Sequence, residues 1–129
     1  IDGVPLSRIP SFQQRIARID AEVMALEWSV LRELAKEEFA YNATAAASTL
    51  KIAGSKLQQS ITELAVDVLG MRGTRYYPIE PDERPEVTPL WPDHVPGRTS
   101  QALINRASTI YGGSLQIQKT LIAKLAFGL

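Results

Sequence analysis

The end of the chain, residues 108–129, reads STIYGGSLQIQKTLIAKLAFGL and decides how the fold closes. Two adjacent glycines, Gly112 and Gly113, interrupt a pattern that is otherwise helical. Glycine adopts backbone conformations that other residues avoid, and it has no Cβ to keep a neighbouring group away. Ser114 follows at once and belongs to the residue types favoured at a helix N-cap. The stretch therefore predicts a helix that breaks at Gly112-Gly113 and restarts at Ser114.

Two interpretations of this break remain open from these residues alone. A helix that starts at Ser114 would present unpaired N–H groups and the positive end of its dipole to the gap. Such helix N-termini bind anions and phosphate groups. However, a Gly-Gly-Ser kink is more often a structural interruption of a helix than a ligand site.

The first of two longer helical segments covers residues 11–38. Ser11 followed by Gln14 resembles a capping box and predicts that the helix begins there. Apolar residues recur at intervals of three and four, which is typical of one stripe of an amphipathic helix. The stripe comprises Phe12, Ile16, Ile19, Val23, Leu26, Val30 and Leu34.

The second helical segment precedes Gly70 and Gly73, one of which we expect to supply a left-handed cap. Small residues in its first half would let another backbone approach closely. Lys51 on this segment is interpreted as a lysine whose stem packs while its ammonium group reaches solvent, rather than as a phosphate ligand. The apolar stripe comprises Ala47, Leu50, Gly54, Leu57, Ile61, Leu64 and Val68.

Residues 74–98 contain six of the eight prolines and show no helical period. Proline disfavours both helix interiors and inner strands, so this stretch predicts a long loop on a surface. Helical spacing returns at Thr99. The chain is therefore predicted to be all-α, a helical bundle of three long helices with the last one broken at Gly112-Gly113, plus this Pro-rich loop.

Composition excludes several classes of function. Lysine plus arginine and aspartate plus glutamate number 14 each, so charge gives no argument for nucleic acid or anionic membrane as a partner. There is no cysteine and a single histidine, His94, so we expect no metal site. Because no window reaches the ~18 apolar residues of a membrane span and the N-terminus lacks a signal-peptide pattern, we expect a cytoplasmic protein.

Residues 110–129, IYGGSLQIQKTLIAKLAFGL, closely resemble the C-terminal signature of the acyl-CoA dehydrogenases, flavoenzymes whose last domain is a helical bundle. Residues 47–70 and 3–27 are similar to the two helices that precede it in that family. The junction INRASTIYGGS, residues 104–114, resembles the bacterial subfamily around pimeloyl-CoA dehydrogenase. The resemblance implies that residues 1–129 form this C-terminal domain, and that the whole enzyme transfers electrons to FAD in the α,β-dehydrogenation of an acyl-CoA thioester.

The resemblance also implies site residues. Gly113, Ser114 and Gln116 match a turn that contacts the flavin cofactor. Gly70 matches a second turn, which reaches the adenine half of an FAD bound by a partner subunit. Asp67 stands in that turn where the family has an amide, and an ionised carboxylate cannot donate to a phosphate, so it is not included. Gly112 occupies the position of the glutamate base of many members, and glycine cannot take a proton, so no catalytic residue is assigned.

The matched region begins after the first helix of the family's bundle, so we expect a fragment of a longer chain. Such a fragment would expose an apolar stripe, bind no FAD and have no activity alone. The complete protein would bind acyl-CoA and form a homo- or hetero-oligomer through the bundle. Two alternatives remain open, namely a non-catalytic helical interaction module and an inactive subunit of a mixed acyl-CoA dehydrogenase oligomer.

Overall fold

A computed structural model describes residues 4–35, 43–74, 95 and 97–129 of the chain. All regular secondary structure in these residues is helical, which confirms the all-α prediction. None of the described helices combines the length and the hydropathy that a membrane span needs. The helices are α1 (Pro10–Leu34), α2 (Ala43–Leu69), α3 (Arg98–Asn105) and α4 (Leu115–Phe127), with 3-10 turns at Leu6–Arg8, Gly70–Thr74 and Arg106–Thr109.

The start of α1 differs from the prediction. The helix begins at Pro10, Ile9 is its N-cap, and no side chain caps it, so the predicted capping box of Ser11 and Gln14 is wrong. Proline at the first helical position has a backbone angle that suits a helix. An N–H group at that position has no acceptor within the helix, so proline loses no hydrogen bond by lacking one. Pro10 therefore sets the helix start and places Ser11 inside the first turn.

The helix ends follow the sequence more closely. Gly70, with φ +54°, ends α2, and Gly128, with φ +69°, ends α4, so both carry the left-handed conformation that glycine favours. Gly70 thus supplies the cap that was expected from either Gly70 or Gly73. α1 ends at Leu34, and the last predicted residues of this helix, 36–38, lie outside the described residues.

Helix α2 is the central element, and it packs against α1, α3 and α4. Its contact with α1 includes Gly54, where an added Cβ would lie 3.8 Å from Cδ2 of Leu26. This is an ordinary contact distance, so the position has room for a methyl group. Of the predicted α1 stripe, Phe12, Ile19 and Leu26 are half-buried, whereas Ile16, Val23, Val30 and Leu34 are exposed.

The interior is unusually polar. Among the described residues the buried apolar side chains are Ala45, Leu57 and Val95. Five polar residues are equally buried, namely Ser48, Ser55, Asn105, Ser108 and Gln118. A buried polar group is costly unless it is hydrogen-bonded, so each of these groups needs a partner within the fold.

Most of the predicted Pro-rich loop, residues 75–94 and 96, lies outside the described residues, and this part includes His94. At its edges, Thr74 belongs to a 3-10 turn and α3 begins at Arg98, one residue before the predicted Thr99. The hydroxyl of Thr99 donates to the carbonyl oxygen of Gly73 at 2.9 Å, which ties the start of α3 to the end of α2.

Alanine substitutions at Gly54 and Gly73 are expected to have opposite effects on stability. An added Cβ at Gly73 would lie 2.9 Å from the carbonyl oxygen of Val66, so we expect Gly73→Ala to lower the free energy of unfolding by about 1–3 kcal/mol. Gly54→Ala adds a methyl group where it fits and favours the helix, so it should raise that free energy by roughly 0.5–1 kcal/mol. Urea unfolding of both variants checks this, and equal effects of the two would contradict it.

Candidate functional site

The break before α4 is present where the sequence predicts it. The 3-10 turn ends at Thr109 and α4 begins at Leu115, with no helix between them. Gly112 has φ +66° and Gly113 has φ +93°, which L side chains rarely adopt. The backbone therefore needs both glycines, and the predicted break at Gly112-Gly113 is confirmed.

Ser114 is the N-cap of α4, as predicted. Its backbone is extended, with φ −60° and ψ 160°, and its Oγ accepts a hydrogen bond from the amide of Ile117 at 3.3 Å. The amides of Leu115 and Gln116 lie in the first turn, where an α-helix offers them no acceptor. That turn carries no acidic residue, so the positive end of the helix dipole is not offset by a neighbouring carboxylate.

Gln118 is a site residue that sequence reasoning missed. Its side chain is buried, and its Nε2 donates to the carbonyl oxygen of Gly112 at 3.0 Å. A Cβ on Gly113 would lie 2.5 Å from this Nε2, so the amide occupies the space that a side chain would need. The available signal was a glutamine beside the apolar residues Ile117 and Leu121, where a buried polar group has to find a partner.

Gly112 has surroundings different from those of Gly113. No heavy atom of the described residues lies within 4 Å of the place where its Cβ would be, and the residue is exposed. Gln116 and Tyr111 are exposed as well. The structure thus brings Gly113, Ser114 and Gln116 together in one turn, with open space in front of Gly112.

A row of donors on α2 holds the segment that leads into this turn. Nζ of Lys51 donates to the carbonyl oxygen of Ser108 at 2.8 Å, and Oγ of Ser55 donates to the same oxygen at 3.1 Å. Lys51 therefore binds a backbone carbonyl of this chain, and the interpretation of its ammonium group as solvent-directed is wrong. The donors keep the chain in a fixed position four residues before Gly112.

Gln59 continues this row by one turn of α2. Its Nε2 lies 3.1 Å from the carbonyl oxygen of Asn105 and 3.3 Å from that of Arg106. The last carbonyl groups of a helix have no partner within the helix, and side-chain donors can satisfy them. Gln59 thereby closes the end of α3, so α2 provides caps for a helix that is distant in sequence.

Gly70 lies at the other end of α2. Lys51, Ser55 and Gln59 hold the segment before the break, and Gly70 follows them by 19, 15 and 11 residues, roughly 16–28 Å along an α-helix. Gly70 is exposed, and no described heavy atom lies within 4 Å of its Cβ position. The structure therefore does not bring Gly70 together with the predicted site residues of the break.

The neighbourhood of Gly70 includes an ion pair between two helices. Nη2 of Arg15 on α1 lies 2.7 Å from Oδ2 of Asp67, which stands three residues before Gly70. The negative charge of Asp67 is therefore offset by a cation of the same chain. Within the described part of the chain, no group of three or more metal-ligating side chains is present.

The contact between Gly113 and Gln118 generates a stability prediction. Gly113→Ala should cost about 2 kcal/mol or more, because it combines an unfavourable φ with an overlap, whereas Gly112→Ala meets only the unfavourable φ and should cost about 1 kcal/mol. In a Gln118→Ala background the overlap is gone, so the added cost of Gly113→Ala should fall toward that of Gly112→Ala. Urea unfolding of the variants measures this coupling, and strict additivity would show that the overlap does not control the turn.

A comparison with known proteins agrees with the all-α fold. The family model of the acyl-CoA dehydrogenase C-terminal domain matches residues 2–127. No match was found among curated protein sequences or among solved structures. Because the family model covers nearly the whole chain, the chain belongs to the acyl-CoA dehydrogenase family, as its C-terminal domain.

Proposed function

We propose that this domain is part of a flavin-dependent acyl-CoA dehydrogenase that catalyses α,β-dehydrogenation of an acyl-CoA thioester. The observation that carries this proposal is the family match over residues 2–127. In this reaction a carboxylate removes the α proton of the thioester, and a hydride leaves the β carbon. FAD, when bound, supplies the hydride acceptor.

The residues at the break fit a polyanionic cofactor such as FAD. Gly113 keeps the turn in place with its left-handed backbone, Ser114 has a hydroxyl hydrogen free to donate while its oxygen caps α4, and Gln116 has an exposed amide. The first turn of α4 adds amides and a dipole with no acidic residue near them. We therefore assign Gly113, Ser114 and Gln116 to the FAD site.

Gly70 is assigned to a second FAD contact, toward the adenine half of a cofactor bound by a partner subunit. Its exposed, left-handed backbone allows close approach, and the pairing of Asp67 with Arg15 lessens the repulsion that this carboxylate would exert on a phosphate. The separation of roughly 16–28 Å along α2 between Gly70 and the residues that hold the segment before the break supports two distinct contacts rather than one. This assignment requires an oligomer.

The base of the reaction is proposed to come from outside these 129 residues. Gly112 has no side chain to accept a proton. Glu22 is paired with Arg18 at 3.0 Å, and Glu63 is paired with Arg106 at 2.8 Å, so both carboxylates already serve as ion-pair partners on helix surfaces. The domain would then bind and orient the cofactor, while another part of the protein moves the proton.

We further propose that the chain lacks the first helix of its bundle, which would cover the exposed apolar residues Ile16, Val23 and Val30 of α1. We also place the chain in the subfamily around pimeloyl-CoA dehydrogenase and in the cytoplasm. The junction INRASTIYGGS supports the subfamily.

A second candidate function is that of a non-catalytic subunit in a mixed oligomer of the same family. The specific observation in its favour is Gly112, which stands where many members have their base. Thioester dehydrogenation should be assayed with the complete protein alone and then with the product of its neighbouring gene. Activity of the complete protein alone would exclude this candidate. The other alternative, a free-standing interaction module, would be excluded by an open reading frame for a β-domain upstream of Ile1.

Two substitutions at Ser114 separate its role as a helix cap from its role at the cofactor. Asparagine and aspartate are both good N-cap residues, so Ser114→Asn and Ser114→Asp should leave the free energy of unfolding within about 0.5 kcal/mol of each other. Only aspartate adds a negative charge at the proposed phosphate-facing turn. We expect Ser114→Asp to weaken FAD binding at least tenfold relative to Ser114→Asn, as measured by titration of the apoprotein. Equal affinities would remove Ser114 from the FAD site.

The isolated 129 residues should not bind FAD stoichiometrically and should not oxidise acyl-CoA, because the proposed site takes its remaining walls from other parts of the protein. The measurement is the flavin absorbance band of the purified chain after incubation with FAD and gel filtration. The complete protein serves as the control and should retain the band. A stoichiometric flavin band in the isolated chain would contradict the proposal.

A further inference from the structure

Helix α1 carries a second apolar stripe, separate from the one that packs on α2. Its intervals are 4, 3, 4, 3 and 4, as regular as those of the first stripe. All its residues are exposed, and the relative exposure of the three large ones is 58% for Met24, 67% for Trp28 and 46% for Leu31. The second stripe comprises Ala17, Ala21, Met24, Trp28, Leu31 and Ala35.

This stripe faces away from the rest of the described domain. Leu26 approaches Gly54 of α2, and Met24 and Trp28 stand two residues before and after it. Two residues correspond to about 200° around an α-helix, so both side chains emerge on the side opposite to α2. Exposed large apolar residues aligned along one helix face mark an interaction surface more often than isolated ones do.

The charges beside the stripe are arranged by sign. In heptad terms, Ala21 and Trp28 take a positions, whereas Met24 and Leu31 take d positions. Two of the g positions are then acidic, Asp20 and Glu27, and two of the e positions are basic, Arg18 and Arg32. Neither Asp20 nor Glu27 forms an ion pair with another described residue, whereas Arg18 pairs with Glu22 at 3.0 Å and Arg32 lies 3.8 Å from Glu33.

We propose that a second copy of this chain packs its own α1 on this stripe, parallel and in register. In a parallel pair, a g residue faces the e residue of the partner's next heptad, so Glu27 of one copy meets Arg32 of the other, twice by symmetry. An antiparallel pair would instead bring the carboxylates of Asp20 and Glu27 against the same two carboxylates, which is unfavourable. The Glu27–Arg32 pairing therefore favours a second copy as the occupant and the parallel direction.

The surrounding structure allows this arrangement. Because α2 lies behind α1, the two domains would stand on opposite sides of the helix pair. The small residues Ala17, Ala21 and Ala35 permit close approach at the ends of the stripe, and Trp28 would be covered near its middle. The inference deepens the oligomer part of the proposed function by naming its face and direction, and it does not require bound FAD.

Disulfide trapping in the complete protein, freed of other reactive cysteines, tests the direction. These 129 residues contain no cysteine, so each introduced one is unique to the domain. In a parallel pair each a or d residue faces its own copy, so Ala21→Cys and Leu31→Cys, about 15 Å apart along the helix, should both form disulfide-linked dimers. Glu22→Cys, on another face of α1, is the matched control and should not. Crosslinking at one stripe position only, or at none, would overturn the proposal.

Charge exchange tests the pairing independently. Arg32→Glu turns two attractive contacts into repulsive ones and should weaken dimerisation about tenfold, as measured by analytical ultracentrifugation. Adding Glu27→Arg should restore it. An unchanged dimer in Arg32→Glu, or a monomeric parent protein in which Trp28 is protected from solvent, would show that something else covers the stripe. Flavin absorbance recorded on the same samples distinguishes failure of the dimer proposal from failure of the FAD proposal. Samples that form the crosslinks but bind no FAD would contradict only the FAD proposal.

Discussion

The carbonyl oxygen of Ser108 is the point on which the arrangement of the C-terminal half depends. It accepts hydrogen bonds from Lys51 and Ser55, and Gln59 serves the carbonyl oxygens of Asn105 and Arg106 one turn further along α2. A helix that ends inside a protein must find acceptors and donors for its terminal groups, because unpaired buried ones cost about 1–3 kcal/mol each. By meeting this demand, α2 determines where α3 ends and where the break begins.

This constraint also explains why polar residues make up so much of the buried interior of the described residues. One face of α2 is occupied by Lys51, Ser55 and Gln59, whose partners are backbone carbonyl groups and, for Gln59, also two side-chain hydroxyls. No buried side-chain nitrogen or oxygen among the described residues lacks a hydrogen-bond partner, so the polar interior is satisfied. A satisfied polar interior specifies one arrangement, whereas an apolar contact of similar area tolerates sliding. The gain is a defined position for the turn that precedes α4.

The sequence was sufficient for the parts of the fold that depend on local chemistry. Helical spacing located α1, α2 and α4, and the cap at Ser114 and the left-handed Gly70 follow from what those residues do within one or two turns. It was insufficient where the partner is distant: the periodicity of α2 shows that Lys51 and Ser55 share a face, but not that this face meets a carbonyl oxygen more than 50 residues later. The prediction of the start of α1 was wrong for another reason. Two local signals competed there, and the fixed backbone angle of Pro10 determined the helix start instead of the capping box at Ser11.

Gly112 and Gly113 contribute differently to the argument for a ligand site at the break. A glycine supports a ligand site when the absence of its side chain has no internal explanation. At Gly113 the explanation is internal, because Gln118 fills the space and binds the preceding carbonyl oxygen. At Gly112 the conformation requires glycine but the space in front of it is open. The case for a cofactor at this turn therefore depends on the open side of Gly112, the hydroxyl of Ser114 and the acid-free first turn of α4, and Gly113 adds to it only by keeping that turn in place.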